Sequence, residues 1–102
     1  THIIYDRNNK KQPFKKKKIA YAVFRAFEAS EEGNWFLASS ISESTTEELE
    51  RIYFSRKLVP TIDQIQDVVE LNLLKHGFYK AGKQYIIYRY EKDKERGKKK
   101  GE

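Results

Sequence analysis

The sequence contains no cysteine and no methionine, and it has two prolines and five glycines in 102 residues. Without cysteine there can be no disulfide, no thiolate metal site and no cysteine nucleophile. No apolar run approaches the roughly 20 residues that a membrane-spanning helix needs, and no signal peptide is visible. The length suits one domain with a modest core. We therefore expect a single cytoplasmic domain, and the start at Thr1 suggests a piece of a longer protein.

Positive charge is concentrated in the first 18 residues. The whole chain has a formal net charge of +6. Residues 1–18 hold seven basic residues against one acid, Asp6, which also gives +6, so residues 19–102 sum to zero. An anionic partner should therefore bind at the N-terminal segment. Its basic residues are Arg7, Lys10, Lys11, Lys15, Lys16, Lys17 and Lys18.

The N-terminal third predicts a β-hairpin followed by a helix. Residues 2–5 and 11–14 are typical of short strands, and Asn8-Asn9 can form the turn because asparagine tolerates positive φ. A first helix is predicted from about Lys16 to Ala29, since its apolar residues recur at helical spacing. The segment Glu31-Glu32-Gly33-Asn34 should end it.

The third helix has the clearest boundaries in the sequence. Thr61 is a candidate N-cap, and Gln64 three residues later completes a capping-box pattern. Apolar residues then follow at positions 62, 65, 69 and 73, which predicts one buried face. His76-Gly77 supplies the end, because glycine adopts the left-handed conformation at that place without strain.

The second and fourth helices are less well marked. Residues 35–44 are ambiguous between a strand and a turn of helix, whereas Thr45-x-x-Glu48 is a second capping box that predicts a helix start at Thr45. The fourth helix should begin near Tyr79 and end in a charged segment, residues 91–102, that leads into a linker. Its predicted core positions are Ala81, Tyr85, Ile86, Tyr88 and Tyr90.

The chemically informative place is the start of the first helix, where Lys15 to Lys18 follow one another. A helix N-terminus with lysines and a preceding turn can hold a polyphosphate, although a solvated lysine cluster that aids solubility explains the run equally well. Neither a Walker pattern nor G-x-G-x-x-G is present. His2 and His76 lack partners typical of catalysis or of a metal site, so we assign no catalytic residue and no metal ligand.

Three ordered segments together resemble the ATP-cone, the nucleotide-sensing regulatory domain found mostly at the N-terminus of ribonucleotide reductases. They are Arg7 to Ile19, Thr61 to Glu70 and Ala81 to Arg89, and the resemblance covers nearly the whole chain. It implies a mainly α fold in which four helices are covered by a short three-stranded β cap. Residues 1–90 would form the domain and residues 91–102 a charged helix end and linker.

The resemblance also implies a function. The family binds ATP or dATP between the β cap and the helices, and Mg²⁺ is a candidate ion that accompanies the nucleotide. The bound nucleotide controls the activity of the enzyme by changing its oligomeric state. Expected partners are an adenine nucleotide, the catalytic domain or subunits of a ribonucleotide reductase, and further copies of the parent protein. The domain itself would be no enzyme, and no membrane would be involved.

The family motifs imply particular site residues in this sequence. Arg7 and Lys18 would meet phosphate, Ile19 would lie against the base or sugar, and Thr61 would contact the adenine edge or only cap its helix. The sequence departs from the family's Lys-Arg-Asp-Gly turn, because Asp6 replaces the lysine and Asn9 the glycine. The full set of expected nucleotide-binding residues is Arg7, Asn8, Asn9, Gln12, Lys15, Lys18, Ile19, Thr61, Ile65 and Gln66.

Two alternatives stay open at this point. The basic N-terminal face with its aromatic residues is compatible with a nucleic-acid-binding module, although the tyrosines fall mainly at the core spacing of the fourth helix. The second alternative is a degenerate cone that has lost its nucleotide and serves only as a protein interaction domain.

Overall fold

Four helices and one short hairpin make up the part of the chain that the structure describes. The computed structural model describes the backbone of residues 2–100 and the side chains of that range, apart from those of residues 93 and 95–100. The predicted mainly α architecture with a small β cap is confirmed. In chain order the elements are β1 (Ile3–Tyr5), β2 (Lys11–Pro13), α1 (Lys16–Ser30), α2 (Trp35–Ile52), a 3-10 turn (Phe54–Arg56), α3 (Ile62–Lys75) and α4 (Tyr79–Lys100).

The hairpin turns where the two asparagines predict it. β1 and β2 are antiparallel, and Asn9 has a φ of 62°, in the left-handed region that asparagine tolerates. The Asp6 carboxylate stabilises this turn, since its Oδ1 accepts from the main-chain N–H groups of Asn8 at 2.8 Å and Lys10 at 2.9 Å. Asp6 therefore builds the turn.

A third strand is not confirmed: within residues 2–100 the sheet has two strands. The main-chain N–H of Tyr5 donates to the carbonyl of Pro60 at 2.9 Å, and Tyr5 forms one isolated parallel bridge with Thr61. The ladder cannot continue there, because proline has no N–H to donate and Thr61 already caps a helix. In place of a third strand, the segment before α3 therefore pairs with β1 through this single bridge.

Helix α3 has the predicted capping box. The Thr61 hydroxyl accepts from the N–H of Gln64 at 3.1 Å, and the Gln64 side chain accepts from the N–H of Thr61 at 3.0 Å. At the other end His76 is the C-cap and Gly77 has a φ of +83°. Both predicted boundaries are confirmed, because each depends on side chains within four residues of the helix end.

Helix α2 starts ten residues earlier than predicted. It begins at Trp35, where the Asn34 side chain accepts from the N–H of Leu37 at 2.8 Å. The prediction of a start at Thr45 is wrong, since Thr45 lies fully buried inside the helix. A capping-box pattern uses residue types that also occur within helices, and here the burial of Ala38 and Ile41 outweighs the weak helix propensity of the serine-rich run.

The core lies where all four helices meet. The largest fully buried apolar side chains are Phe27 on α1, Ile41 and Leu49 on α2, and Leu73 on α3. Three polar residues are buried with them: the Ser42 hydroxyl donates to the carbonyl of Lys16, and Asn72 accepts from Ser44. In the described part of the chain only the hydroxyl of Thr45 is buried without a hydrogen-bond partner.

Helix α4 packs through a narrower face than predicted. Ala81 and Tyr85 are buried, but Ile86, Tyr88 and Tyr90 are exposed, so their prediction as core residues is wrong. The helix lies against α1 and α3 on one side only, which leaves the rest of its apolar surface open. The proposed boundary after residue 90 stays a prediction; α4 continues to Lys100, and residues 101–102 of the expected linker lie outside the described residues.

Two contacts from outside α4 fix its first turns. The carboxylate of Glu32, in the loop between α1 and α2, accepts from the main-chain N–H of Ala81 at 2.8 Å. Gly82 lies beneath Leu74 of α3, and a Cβ at this glycine would come within 3.1 Å of the leucine Cδ2. Hence a glycine allows α3 and α4 to approach closely. No helix within the described range is long and apolar enough to cross a membrane.

Candidate functional site

A cavity of about 380 Å³ lies between the hairpin and the first turns of α1 and α3. Its size is within the range of pockets that hold small molecules and cofactors. All three structural elements contribute to it, so the site depends on the hairpin packing across the two helix starts. The lining residues are Ile4, Asp6, Gln12, Pro13, Phe14, Lys15, Lys18, Ile19, Ile62 and Ile65.

The lining divides into an apolar part and a cationic part. Ile4, Ile19 and Ile65 are buried side chains that form apolar walls, whereas Lys15 and Lys18 bring ammonium groups to the start of α1. Lys15 is the N-cap of α1 and provides no side-chain cap, and the first turn contains no acidic residue. The helix dipole and the two lysines therefore all favour an anion at this end of the cavity.

Lys16 and Lys17 point elsewhere. The Lys16 ammonium pairs with the Glu43 carboxylate on α2, and Lys17 is exposed outside the cavity lining. Thus two of the four consecutive lysines serve the cavity and two lie on the outer surface.

The Asp6 carboxylate is the acidic group of the cavity lining, and its hydrogen bonds account for it. The N–H of Lys10 is the main cause of a lowered Asp6 pKa, against a smaller opposing effect of burial, and the Gln12 side chain and the N–H of Asn8 lower it further. The Gln12 amide donates to Asp6 Oδ2 at 3.1 Å, so both carboxylate oxygens are engaged. Asp6 thereby orients Gln12, which also lines the cavity.

Five of the ten predicted nucleotide-binding residues meet in this cavity. Arg7, Asn8, Asn9, Thr61 and Gln66 do not line it. Asn8 and Asn9 form the turn, and Thr61 caps α3, while the next residue, Ile62, lines the cavity in its place. The five predicted residues that the structure brings together are Gln12, Lys15, Lys18, Ile19 and Ile65.

The family model of the ATP cone domain matches residues 3–94. The chain belongs to the ATP cone family. A ribonucleoside-diphosphate reductase subunit alpha from Treponema pallidum (strain Nichols) is 34% identical over 98 residues, an alignment that covers 93% of this chain and 12% of the relative. The chain thus spans about an eighth of that relative's length. ATP cones are regulatory domains that bind nucleotide effectors, and not catalytic domains.

The Arg7 side chain of this cone is directed towards α3. Its Nη1 donates to Asp63 Oδ1 at 3.0 Å, and its Nη2 donates to Gln66 Oε1 at 2.9 Å. Two predicted site residues, Arg7 and Gln66, therefore bind one another outside the cavity. Their contact joins the hairpin turn to α3.

The sequence analysis assigned no role to Arg89 on α4, which the structure places against α3. Its Nη1 donates to Asp67 at 2.8 Å and to Glu70 at 2.6 Å, and its Nη2 donates to the main-chain carbonyl of Asp63 at 3.1 Å. Burial disfavours its positive charge, but the hydrogen bonds to Glu70 and Asp67 outweigh burial and raise the pKa of Arg89. The spacing of three acidic residues along one face of α3, Asp63, Asp67 and Glu70, is the signal that could predict a cation packed against that face.

No cluster of three or more histidine, aspartate or glutamate side chains placed to hold a metal ion occurs among the described residues. The Asp6 carboxylate of the cavity lining accepts from an N–H group of its own turn, and the Asp67 carboxylate on α3 accepts from Arg89.

Proposed function

We propose that this cone binds ATP or dATP as an allosteric effector in the cavity between the hairpin and the starts of α1 and α3. The observation that supports it is the division of one cavity into apolar walls and a cationic end. A purine and sugar fit against isoleucines, and a polyphosphate fits a helix N-terminus with two lysines. A solvated lysine cluster alone would have no such cavity behind it.

The proposed roles follow from position. Lys15 and Lys18 bind phosphate oxygens, and Ile19 and Ile65 pack against the base or sugar. Gln12, oriented by Asp6, offers an amide to the sugar edge. Mg²⁺ bound together with the nucleotide would neutralise part of the phosphate charge beside Lys15 and Lys18. Arg7 approaches phosphate from the turn, which requires it to leave its contacts on α3.

The proposed context is a ribonucleotide reductase. The relative in Treponema pallidum is named as its alpha subunit, and the chain corresponds to 12% of that protein. The cone would regulate a catalytic domain or subunit of such an enzyme in deoxyribonucleotide synthesis, in the cytoplasm. The signal would pass through the oligomeric state of the parent protein.

Lys18→Ala should weaken ATP and dATP binding by about 1–3 kcal/mol, the usual scale for a hydrogen bond to a charged group. Isothermal titration calorimetry measures this directly, and we expect a dissociation constant in about the micromolar range or below for the wild type. Lys17→Ala is the matched control, because it removes the same charge one residue away, outside the cavity. Equal losses for the two variants would indicate a diffuse electrostatic effect instead of a site.

The same titrations separate the remaining alternatives. Saturation by an oligonucleotide at about 150 mM salt that excess ATP does not displace would favour a nucleic-acid-binding module. No saturation by either nucleotide would leave a degenerate cone, in which the domain serves only as an interaction surface.

The proposed switch needs an exposed contact, and α1 with the start of α2 offers one. Trp35 packs on Tyr21 with ring centroids 5.2 Å apart and on Phe24 at 5.4 Å, while Phe36 beside it is 75% exposed. The Trp35 side chain thus packs on two rings of α1 and remains 42% exposed. Exposed aromatic side chains of this kind are typical anchors of protein interfaces.

We expect dATP and ATP to give parent assemblies of different mass, and Phe36→Ser to abolish the difference without changing nucleotide affinity. Mass photometry of the full-length parent measures the mass, and calorimetry the affinity. Tyr90→Ser is the control, since it removes an aromatic ring that is 67% exposed on α4. Identical mass with both nucleotides bound would rule out an oligomeric switch and leave the binding function intact.

A further inference from the structure

An ion pair between Arg7 and Asp63 joins the hairpin turn to α3 outside the cavity lining. Each partner directly follows a lining residue in sequence, Arg7 after Asp6 and Asp63 after Ile62. The guanidinium Nη1 lies 3.0 Å from Asp63 Oδ1, and Nη2 donates to Gln66 Oε1 at 2.9 Å. Arg7 must therefore leave both contacts on α3 to reach a ligand in the cavity.

Asp63 has a second cation available. The same Oδ1 atom lies 3.6 Å from Nη2 of Arg89, which also donates to the main-chain carbonyl of Asp63. If Arg7 moved away, the Asp63 carboxylate would still face a guanidinium. Its release from Arg7 would therefore cost less than leaving a carboxylate without a partner.

A guanidinium binds carboxylate and phosphate oxygens with the same donor geometry. Asp63 thus occupies a donor of Arg7 that a phosphate beside Lys15 and Lys18 could use instead. The carboxylate of the cavity lining, Asp6, does not compete in this way, because its oxygens accept from the turn and from Gln12.

We propose that Asp63 lowers the nucleotide affinity of this cone by competing with the bound polyphosphate for Arg7. The inference rests on the proposed nucleotide function. A polyphosphate draws Arg7 from Asp63, and Asp63 then remains paired with Arg89. The competition lowers the affinity for every anion that recruits Arg7.

The test is calorimetric titration of ATP into three proteins: the wild type, Asp63→Asn and Glu43→Gln. Glu43 is a close control, because its carboxylate is about as exposed as that of Asp63 (58% against 63%) and pairs with Lys16, a basic residue of the N-terminal segment that does not line the cavity. We expect Asp63→Asn to tighten ATP binding about three- to fivefold, the scale of an exposed ion pair, and Glu43→Gln to stay within about 1.5-fold.

A second cycle identifies Arg7 as the mediator. In an Arg7→Gln background, Asp63→Asn should change the dissociation constant by less than about 1.5-fold, because the competition needs Arg7. Asp63→Ser repeats the test with a second neutral residue, should the asparagine variant lose stability. Circular dichroism confirms that each variant is folded.

The outcomes are distinct. Saturable ATP binding with equal constants for Asp63→Asn and Glu43→Gln would overturn this inference and leave the proposed function standing. Tightening that persists in the Arg7→Gln background would also overturn it. No saturable binding by any of the proteins, wild type included, would overturn the proposed function and the inference with it.

Discussion

Gly33→Ala should destabilise the domain by about 2–5 kcal/mol, the sum of a left-handed backbone penalty and a steric clash in the core. Gly33 has a φ of +61°, and a Cβ built on it would lie 2.6 Å from Cδ2 of Phe27. Phe27 is 1% exposed and cannot move aside without disturbing the core. Urea unfolding followed by circular dichroism measures the loss.

Gly77→Ala separates the two causes. Gly77 also has a positive φ, +83°, but nothing lies within 4 Å of the position that its Cβ would take. Its substitution should cost about 1 kcal/mol, the backbone penalty alone. Equal losses at the two glycines would contradict the close contact between Gly33 and Phe27.

Arg89→Met should cost about 3 kcal/mol, because it removes the cation that faces three carboxylates of α3. Methionine keeps the length and helix propensity of the side chain, so the loss reports mainly the charge and its hydrogen bonds. Arg89 is 17% exposed and binds Asp67 and Glu70 directly. Urea unfolding at low ionic strength measures the loss, and added salt should recover part of it by screening the repulsion among the carboxylates.

Arg51→Met is the matched control on the surface. Arg51 pairs with Glu48 three residues earlier on the same helix, and its side chain is 69% exposed. Such pairs contribute little, so the variant should stay within about 0.5 kcal/mol of the wild type. A loss at Arg89 no larger than at Arg51 would show that the carboxylates of α3 need no cation from α4.

Local signals in the sequence predicted the parts of the fold that depend on local contacts. Thr61 and Gln64 form the expected capping box because each needs only the other. The start of α2 was wrong because Thr45-x-x-Glu48 has the composition of a cap inside a helix. The true signal is Asn34, the N-cap of α2, but Gly33-Asn34 is equally typical of the end of the preceding helix.

Residues that line the candidate cavity were predictable where spacing and chemistry coincide. Lys18 and Ile19 are adjacent at a helix start, so one faces the charged end of the cavity and the other its apolar wall. The orientation of Arg7 was not predictable, because its partner Asp63 lies 56 positions away in sequence and the choice between cavity and α3 is a rotamer choice. Arg89 was missed for the same reason.

The attachment of α4 to α3 has a mechanical consequence. The helix is held at Gly82 under Leu74 and again at Arg89, two points about 10 Å apart along its axis, while its remaining length to Lys100 adds about 16 Å. The part of the helix beyond Arg89 is therefore a lever arm. If the contacts with α3 let the helix tilt by about 10° about Arg89, its far end would move by about 3 Å, given the length set by the helical rise. A small rotation at the contacts with α3 would thus become a larger displacement at the C-terminal end of the helix.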